Sequence, residues 1–214
     1  MKFDQPFQPG RLVQRYKRFL ADIVLDEGGA VTATCPNTGS MMGLVAPGSR
    51  VWVSVSDSPT RKYKHTWELV EADLGKGPKL VGINTGPPNK MVEEAIRSGK
   101  LLDCASYPVL KREQKYGVNS RIDILLECPN RGRAYVEVKN VHLSRKAGLA
   151  EFPDSRTERG TKHLAELAAM VAEGHRALMV FLVQRADVTK LSLARDVAPA
   201  YGAAFDKALA AGVE

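Results

Sequence analysis

Short alternating runs of apolar and polar residues, interrupted by turn-forming residues, fill the first 86 positions of the chain. Glycine- and proline-containing turns are expected at 28–29, 36–39, 47–48 and 75–78. The segments around them are rich in β-branched and aromatic residues, which predicts five strands at 16–25, 30–35, 49–56, 61–72 and 79–85. Five short strands in this length predict a small closed barrel of the OB-fold type, although an SH3-like barrel has a similar pattern.

After residue 86 the pattern changes to longer, helical periods. Residues 89–101, 157–175 and 200–212 carry apolar side chains three to five positions apart, which predicts three helices, the first with Asn89 as its N-cap. Strands are predicted at 107–116, 120–127, 134–143 and 176–185. The last strand is apolar throughout, so we expect helices on both faces of the sheet.

These patterns predict a two-domain α+β protein. Residues 1–86 form the N-terminal five-stranded, OB-fold-like β-barrel. Residues 87–214 form a C-terminal α/β domain with a mixed sheet flanked by helices.

Three ionisable residues interrupt two of the predicted apolar strands. Asp123 lies in one strand, and Glu137 and Lys139 lie in the next. Alternate residues of a strand face the same side, so Glu137 and Lys139 share a face, and Asp123 lies opposite them if the two strands are neighbours. Two carboxylates can hold Mg²⁺ or Mn²⁺, and a lysine can stabilise charge on phosphorus, so the trio indicates phosphodiester hydrolysis with Asp123 and Glu137 as metal ligands. The alternative is a structural bridge between lysine and carboxylate at a sheet edge.

Other polar residues are candidates to join this site. Glu94 on the preceding helix, Glu113 on the preceding strand and Gln184 at the end of the last strand are possible additions. Arg159, Lys162 and His163 surround the start of a helix, where free N–H groups and the helix dipole favour a phosphate. Each of these residues is also consistent with an ordinary surface position.

Cations alternate with aromatic residues at 15–19 and 61–67 in the N-terminal half. Such a pattern is typical of single-strand nucleic-acid binding, because aromatic rings stack on bases while cations follow the phosphates. It is equally typical of a barrel strand with Tyr63 and Trp67 inside and its lysines in water. The candidate nucleic-acid-binding residues here are Arg15, Lys17, Arg18, Arg61, Lys62 and Lys64.

Composition narrows the function classes. The chain has 31 Lys and Arg against 24 Asp and Glu, a net charge of +7, which favours a polyanionic partner such as DNA. Three widely spaced cysteines without a CxxC pair argue against a zinc site or a disulfide framework. The longest apolar run, 177–183, is too short to cross a bilayer, and the N-terminus lacks the apolar segment of a signal peptide, so we expect a cytoplasmic protein without a membrane partner.

Several long motifs resemble those of the bacterial sugar fermentation stimulation protein A (SfsA) family, over essentially the whole chain. They are RLVQRYKRFLADI, CPNTG, RKYKHTWELV, KYGVNSRIDILL, YVEVKNVHL, FPDSRTERGTKHLAEL and AGVE. The resemblance implies an N-terminal OB-fold, a PD-(D/E)xK restriction-endonuclease-like C-terminal domain, DNA binding without sequence preference, and a regulatory role in sugar metabolism, particularly of maltose. It also implies that Asp123, Glu137 and Lys139 occupy the nuclease-like positions. Two features depart from the family: Thr34 precedes CPNTG where histidine is expected, and family chains continue with a further strand beyond Glu214.

Two functions remain open on this basis. The first is a Mg²⁺-dependent nuclease that binds DNA with its barrel and cuts it at the C-terminal cluster. The second is a catalytically inactive DNA-binding regulator of sugar metabolism built on a nuclease scaffold. The presence of all three of Asp123, Glu137 and Lys139 favours the first, since a scaffold kept only for binding has no need of them.

Overall fold

The computed structural model describes residues 5–75, 77–101 and 104–214. In the N-terminal part of this range the strands are β1 (Gln8–Tyr16), β2 (Leu20–Leu25), β3 (Ala30–Thr34), β4 (Arg50–Val55), β5 (His65–Ala72) and β6 (Lys79–Gly82). Antiparallel pairs join β1 to β2 and β4, β2 to β3, and β4 to β5. A parallel pairing of β3 with β5 then closes a five-stranded barrel in the order β1-β2-β3-β5-β4. The OB-fold prediction is confirmed.

Two strand assignments within this barrel were wrong. The segment 16–25, predicted as one strand, holds the end of β1, a turn and then β2. The segment 79–85 was predicted as a barrel strand, but β6 pairs with β5 outside the closed ring, and β1 is the fifth strand of the barrel. The turn is made by Lys17 and Arg18, which adopt φ of 49° and 65°. Residues other than glycine rarely take this left-handed conformation. Because neither glycine nor proline occurs at this turn, the sequence carried no signal that predicted it.

The barrel encloses an apolar core centred on Trp67. This side chain is fully buried together with Leu12 and Ile23, and its indole N–H donates to the carbonyl oxygen of Leu69 at 2.9 Å. The internal hydrogen bond removes the cost of burying the only polar atom of the ring. Residues 61–64, predicted as the start of a strand, instead precede β5 as a loop.

The C-terminal part contains three helices and seven strands among the described residues. The helices are α1 (Pro87–Arg97), α2 (Glu158–Ala172) and α3 (Pro199–Ala210). The strands are β7 (Val109–Tyr116), β8 (Ser120–Cys128), β9 (Gly132–Val141), β10 (Leu143–Lys146), β11 (Gly148–Phe152), β12 (Arg176–Val183) and β13 (Val188–Leu193). The N-cap of α1 is Gly86 rather than Asn89, because proline follows at the first helical positions, where its fixed φ suits a helix start.

The main sheet of this part is mixed and covered on both faces. Its order is β7-β8-β9-β12, with β9 parallel to β12 and the other pairs antiparallel. Val92 and Ile96 of α1 pack on one face, and Leu164 and Leu167 of α2 pack on the other together with Tyr201 of α3. Helices on both faces were expected. Among the described residues β7 has a strand neighbour on one side only.

A second sheet, β10-β11-β13, was missed by the sequence analysis. Its strands are only four to six residues long, and β13 is largely exposed although half of its side chains are apolar. Strands this short do not show the sustained alternation that predicts a strand. Two of its strands, β10 and β11, carry the chain from the end of β9 toward the start of α2, so they help to set where that helix begins.

The two parts dock through backbone groups as well as through the connection at 83–86. Gly82 N–H donates to the carbonyl oxygen of Gln184 at 2.9 Å, and Val81 forms an antiparallel bridge with Arg185. Elsewhere in this contact, Met41 N–H donates to Asp154 Oδ2 at 2.8 Å, and both residues lie in loops. The loop of residues 36–41, between β3 and β4, therefore lies directly against the C-terminal sheet.

No helix among the described residues is long and apolar enough to cross a membrane.

Candidate active site

Asp123 and Glu137 lie next to each other on β8 and β9. Ile124 pairs with Val136, and the two acids are the next residues along their strands. The carboxylate Oδ2 of Asp123 accepts the backbone N–H of Val138 at 2.7 Å. The side chain thus takes the place of a backbone acceptor where the two central strands separate, and this holds the acid between β8 and β9.

Asp123 is further held by α1. Asn89 Nδ2 donates to Asp123 Oδ1 at 2.8 Å and more weakly to Glu113 Oε1 at 3.4 Å. Burial raises the pKa of Asp123 above its ordinary value, and the nearby charge of Glu137 raises it further, against the effect of these hydrogen bonds and of Lys139. The carboxylate is therefore in a position where a cation would lower its energy.

Glu137 is the most buried acid of the group, with 2% of its surface exposed. Its Oε1 accepts Lys139 Nζ at 2.6 Å and also the Nδ1–H of His163. Burial raises the pKa of Glu137, but the hydrogen bonds from His163 and Lys139 and the charge of Lys139 outweigh it, and the net shift is downward. Its Oε2 is buried without a hydrogen-bond partner among the described residues. One oxygen of an ionised carboxylate is thus left for a ligand.

His163 is oriented by the first turns of α2. Thr157, the N-cap, accepts the N–H of Gly160 with its Oγ1 at 3.0 Å, which starts the helix that carries Arg159 and His163. Arg159 Nε–H donates to His163 Nε2 at 3.3 Å, so this ring nitrogen has a lone pair. The proton is then on Nδ1, facing Glu137. His163 and Arg159 were predicted as phosphate ligands at a helix start, and the structure places the histidine on Glu137.

A cleft of about 370 Å³ brings these residues together with residues of the N-terminal part. Its lining includes Asp123, Glu137, Lys139, Arg159 and His163 from the C-terminal part, and Asn37 and Thr85 from the N-terminal part. Asp123, Glu137 and Lys139 were predicted from the sequence to form a cluster. Residues of the barrel were not expected to line the same cleft.

His142 and Asp154 form a buried pair in this lining. His142 Nε2 lies 3.1 Å from Asp154 Oδ2, while His142 Nδ1 is buried without a partner among the described residues. Burial raises the pKa of Asp154, but the hydrogen bond and charge of His142 and the N–H of Met41 lower it overall. The ionised Asp154 accepts a hydrogen bond from His142 Nε2–H as well as from Met41 N–H, so it links the two parts of the protein.

The remaining candidates of the C-terminal part lie around the cleft. Glu113 reaches it through Asn89, at a position of β7 with φ of 53°. Gln184 Nε2 donates to Asn140 Oδ1 at 2.8 Å, beside the cleft wall. Glu94 lines a different surface depression on α1, and Lys162 Nζ donates to the carbonyl oxygen of Val118 at 2.7 Å.

The basic candidates of the N-terminal part divide into two kinds. Lys17 and Arg18 are exposed at the tip of the β1–β2 turn, and Lys62 is exposed near the ring of Tyr63. The others bind their own chain: Arg61 donates to the hydroxyl oxygens of Thr34 and Thr66 at 3.2 and 2.9 Å, and Lys64 donates to the carbonyl oxygen of Ser58.

Arg15 also binds its own chain. Its guanidinium donates to the carbonyl oxygens of Arg18, Asn37 and Gly39 at 2.8, 2.9 and 2.9 Å. These contacts fasten the 36–41 loop to the barrel.

The carboxylates on the two central strands suit a hard cation. Among the described residues no group of three or more His, Cys, Asp or Glu side chains is arranged to hold a metal, so the two carboxylates stand without a third such ligand. Mg²⁺ is commonly held by one or two carboxylates, with waters and substrate phosphates completing its coordination. The buried, unpartnered Oε2 of Glu137 and the raised pKa of Asp123 fit such an ion.

Two family models match the chain. Residues 86–214 match "Sugar fermentation stimulation protein RE domain", and residues 13–83 match "SfsA N-terminal OB domain". The chain belongs to the sugar fermentation stimulation protein (SfsA) family. The resemblance predicted from the sequence motifs is therefore confirmed.

Relatives support this assignment over the full length of the chain. Sugar fermentation stimulation protein homologs of Sinorhizobium medicae and Brucella ovis are 59% and 58% identical over 214 residues, which is 100% of this chain and 88% of each relative. The solved structure of Pyrococcus furiosus SfsA in complex with Ca²⁺ matches with a TM-score of 0.88 and 28% identity, covering 100% of this chain and 88% of that one.

Proposed function

We propose that this member of the SfsA family is a nuclease that depends on Mg²⁺ or Mn²⁺ and binds DNA without sequence preference. The observation that carries the proposal is the convergence of Asp123, Glu137 and Lys139 in one cleft, with Glu137 Oε2 buried and unpartnered among the described residues. The net charge of +7 supports a polyanionic substrate.

Each residue of the cluster has a distinct part in this proposal. Asp123 and Glu137 would hold the metal ion, which supplies Lewis acidity toward the phosphate and lowers the pKa of a bound water. The relative from Pyrococcus furiosus, described in complex with Ca²⁺, supports a site for a hard divalent cation.

Lys139 contributes a positive charge to the cleft. Its ammonium group is fixed by Glu137 Oε1 at 2.6 Å, so it needs little reorganisation to stabilise negative charge that develops on the phosphate oxygens. His163 donates to the same Oε1, and Oε2 has no hydrogen-bond partner among the described residues. Water then adds to phosphorus, the P–O bond to the leaving nucleotide breaks, and the products are a phosphomonoester and a hydroxyl end.

The test compares wild type with Glu137→Gln and Lys139→Met, and uses Glu27→Gln in the exposed β2–β3 turn as a matched charge control. Titration calorimetry with Mg²⁺ and Mn²⁺ measures metal affinity, and labelled single- and double-stranded DNA measures both binding and cutting. We expect the control to behave as wild type, Glu137→Gln to lose metal binding, and both site variants to lose cleavage while DNA affinity changes only a fewfold.

The same samples distinguish the second candidate function. Wild-type protein that binds DNA in a salt-dependent way but binds no metal and cuts nothing would be a DNA-binding regulator with a structural Glu137–Lys139 pair. Cleavage that survives in Glu137→Gln would rule out the cluster as the active site.

A further inference from the structure

We propose that Asn37, on the 36–41 loop of the barrel, is a second phosphate-binding residue of the cleft and donates its side-chain NH₂ to a non-bridging oxygen of the bound nucleic-acid strand. The inference rests on the proposed function, because it describes how the same cleft holds its substrate. It makes the N-terminal barrel a part of the site rather than only a neighbouring binding domain.

The side chain of Asn37 is buried and its orientation is fixed. Only 3% of the residue is exposed, and its Oδ1 accepts the backbone N–H of Gly39 at 2.9 Å. Since an N–H can be accepted by the oxygen and not by the amide nitrogen, the Nδ2 must occupy the other position. That Nδ2 is buried without a partner among the described residues, in a side chain that lines the cleft. A buried donor left unpaired is costly, and a ligand oxygen would satisfy it.

The loop that carries Asn37 is held by Arg15 of the barrel and Asp154 of the C-terminal part. Arg15 binds the carbonyl oxygens of Asn37 and Gly39, and Asp154 binds the N–H of Met41. A Cβ atom at Gly39 would lie 2.9 Å from Asp154 Oδ2 and 3.0 Å from Asn37 Oδ1, so a larger residue here would displace the side chains that hold the loop. A donor fixed in this way loses little conformational entropy on binding.

The charges of the cleft indicate which ligand this donor would meet. Lys139 and Arg159 are the cations of the lining, and Asp123 and Glu137 are the acids assigned to the metal ion. A phosphodiester has two non-bridging oxygens, so one can face the cation side while the other accepts from an amide. Contacts to phosphate position a strand without reading its bases, which agrees with binding that is independent of sequence.

The experiment uses Asn37→Asp, which keeps an oxygen for Gly39 N–H and replaces the free NH₂ by an acceptor. Asn130→Asp is the matched control: it adds the same charge at the exposed β8–β9 turn, at the other end of these strands from the site. Melting temperatures of both variants check folding. Affinity for labelled single- and double-stranded oligonucleotides is measured with EDTA, where no cutting occurs. We expect Asn37→Asp to weaken binding by about tenfold or more and Asn130→Asp by less than about twofold.

A second readout separates this inference from the proposed function. The side-chain NH₂ signals of Asn37, assigned by their loss in Asn37→Asp, are followed by NMR while oligonucleotide and, separately, inorganic phosphate are added. We expect both ligands to shift these signals. If wild type binds oligonucleotide and the two variants bind equally well, the inference is overturned and the proposed function stands. If wild type binds no nucleic acid, the proposed function fails, and signals of Asn37 that do not respond to phosphate overturn the inference as well.

Discussion

At the scale of single residues, the environment of the candidate site shifts the pKa of its two acids away from their ordinary values. Burial raises the pKa of Asp123, while hydrogen bonds from His163 and Lys139 lower that of Glu137 despite its burial. The two neighbouring acids therefore differ in how readily they give up a proton. Such opposed shifts are typical of functional sites, because chemistry and stability place different demands on the same residues.

The raised pKa of Asp123 predicts a stability effect of known sign. The folded protein holds a proton on Asp123 more tightly than the unfolded chain does, whose carboxyl has the ordinary pKa of 3.8. The ionised carboxylate thus destabilises the metal-free fold once the pH exceeds the folded pKa. Asp123→Asn keeps one acceptor for Val138 N–H, and the amide of Asn89 can turn to accept from the new NH₂. We expect the metal-free variant to melt above wild type at pH 8.

Thermal melts across a pH series check this prediction. The difference between Asp123→Asn and wild type should shrink as the pH falls toward 3.8, where both are neutral at this position. Added Mg²⁺ should raise the melting temperature of wild type and leave that of the variant unchanged. A variant that melts below wild type at pH 8 would show that hydrogen bonds, and not charge burial, dominate at this position.

At the scale of elements, the start of α2 connects helix formation to the site. Thr157 caps this helix, and Arg159 and His163 lie in its first two turns. His163 in turn fixes which oxygen of Glu137 is free. The geometry of the acid therefore depends on a helix end whose capping residue, Thr157, does not itself line the cleft.

Removing this cap should affect stability and metal affinity together. Thr157→Ala loses the acceptor for Gly160 N–H, which costs ~1 kcal/mol of unfolding free energy in typical helices. We expect it also to weaken Mg²⁺ binding a fewfold, because His163 is less firmly held. Thr157→Ser keeps the hydroxyl and should behave as wild type. Urea unfolding and metal titration of the three proteins measure both effects, and unchanged metal affinity in Thr157→Ala would disconnect the helix end from the site.

The elements also show why part of the site was predictable from the sequence and part was not. Asp123, Glu137 and Lys139 could be found because two-residue periodicity on β8 and β9 is a local property, and ionisable residues stand out among apolar ones. Asn37 could not be assigned to this cleft, since it lies 86 positions before Asp123 and only domain docking brings them together. The β1–β2 turn was missed because Lys17 and Arg18 carry no turn signal.

At the scale of the whole molecule, a few polar contacts decide how the barrel sits on the C-terminal sheets. Asp154 is the central one, since it accepts both from Met41 N–H of the barrel and from His142. Because the cleft has lining residues from both parts, any movement at this contact changes the distance between Asn37 and the acids. The way in which the two parts dock therefore determines the geometry of the cleft.

Loss of the Asp154 carboxylate should weaken this docking. Asp154→Ala leaves the N–H groups of Met41 and His142 without their acceptor, so we expect a lower melting temperature and a calorimetric transition that broadens or splits in two. Asp196→Ala removes an exposed acid that pairs with Arg145 within the C-terminal part, and should change little.

The loss of stability at acidic pH provides an independent measure of the contact made by Asp154. The pKa of Asp154 is lowered in the fold, so its stabilising effect is present above the ordinary value of 3.8 and is lost as the pH falls through the folded pKa. Wild type should therefore lose more stability than Asp154→Ala below about pH 4. Equal acid sensitivity of the two proteins would contradict a role of this carboxylate in docking.

Among the described residues, β7 has a strand neighbour on one side only, so its other edge is open to solvent and to other molecules. An unpaired strand edge can add a strand from another molecule and so begin aggregation. Lys111, Arg112 and Lys115 lie along this edge, and two copies that approached edge to edge would bring the same positive charges together. The positive charges along β7 therefore disfavour edge-to-edge pairing of two copies through this strand.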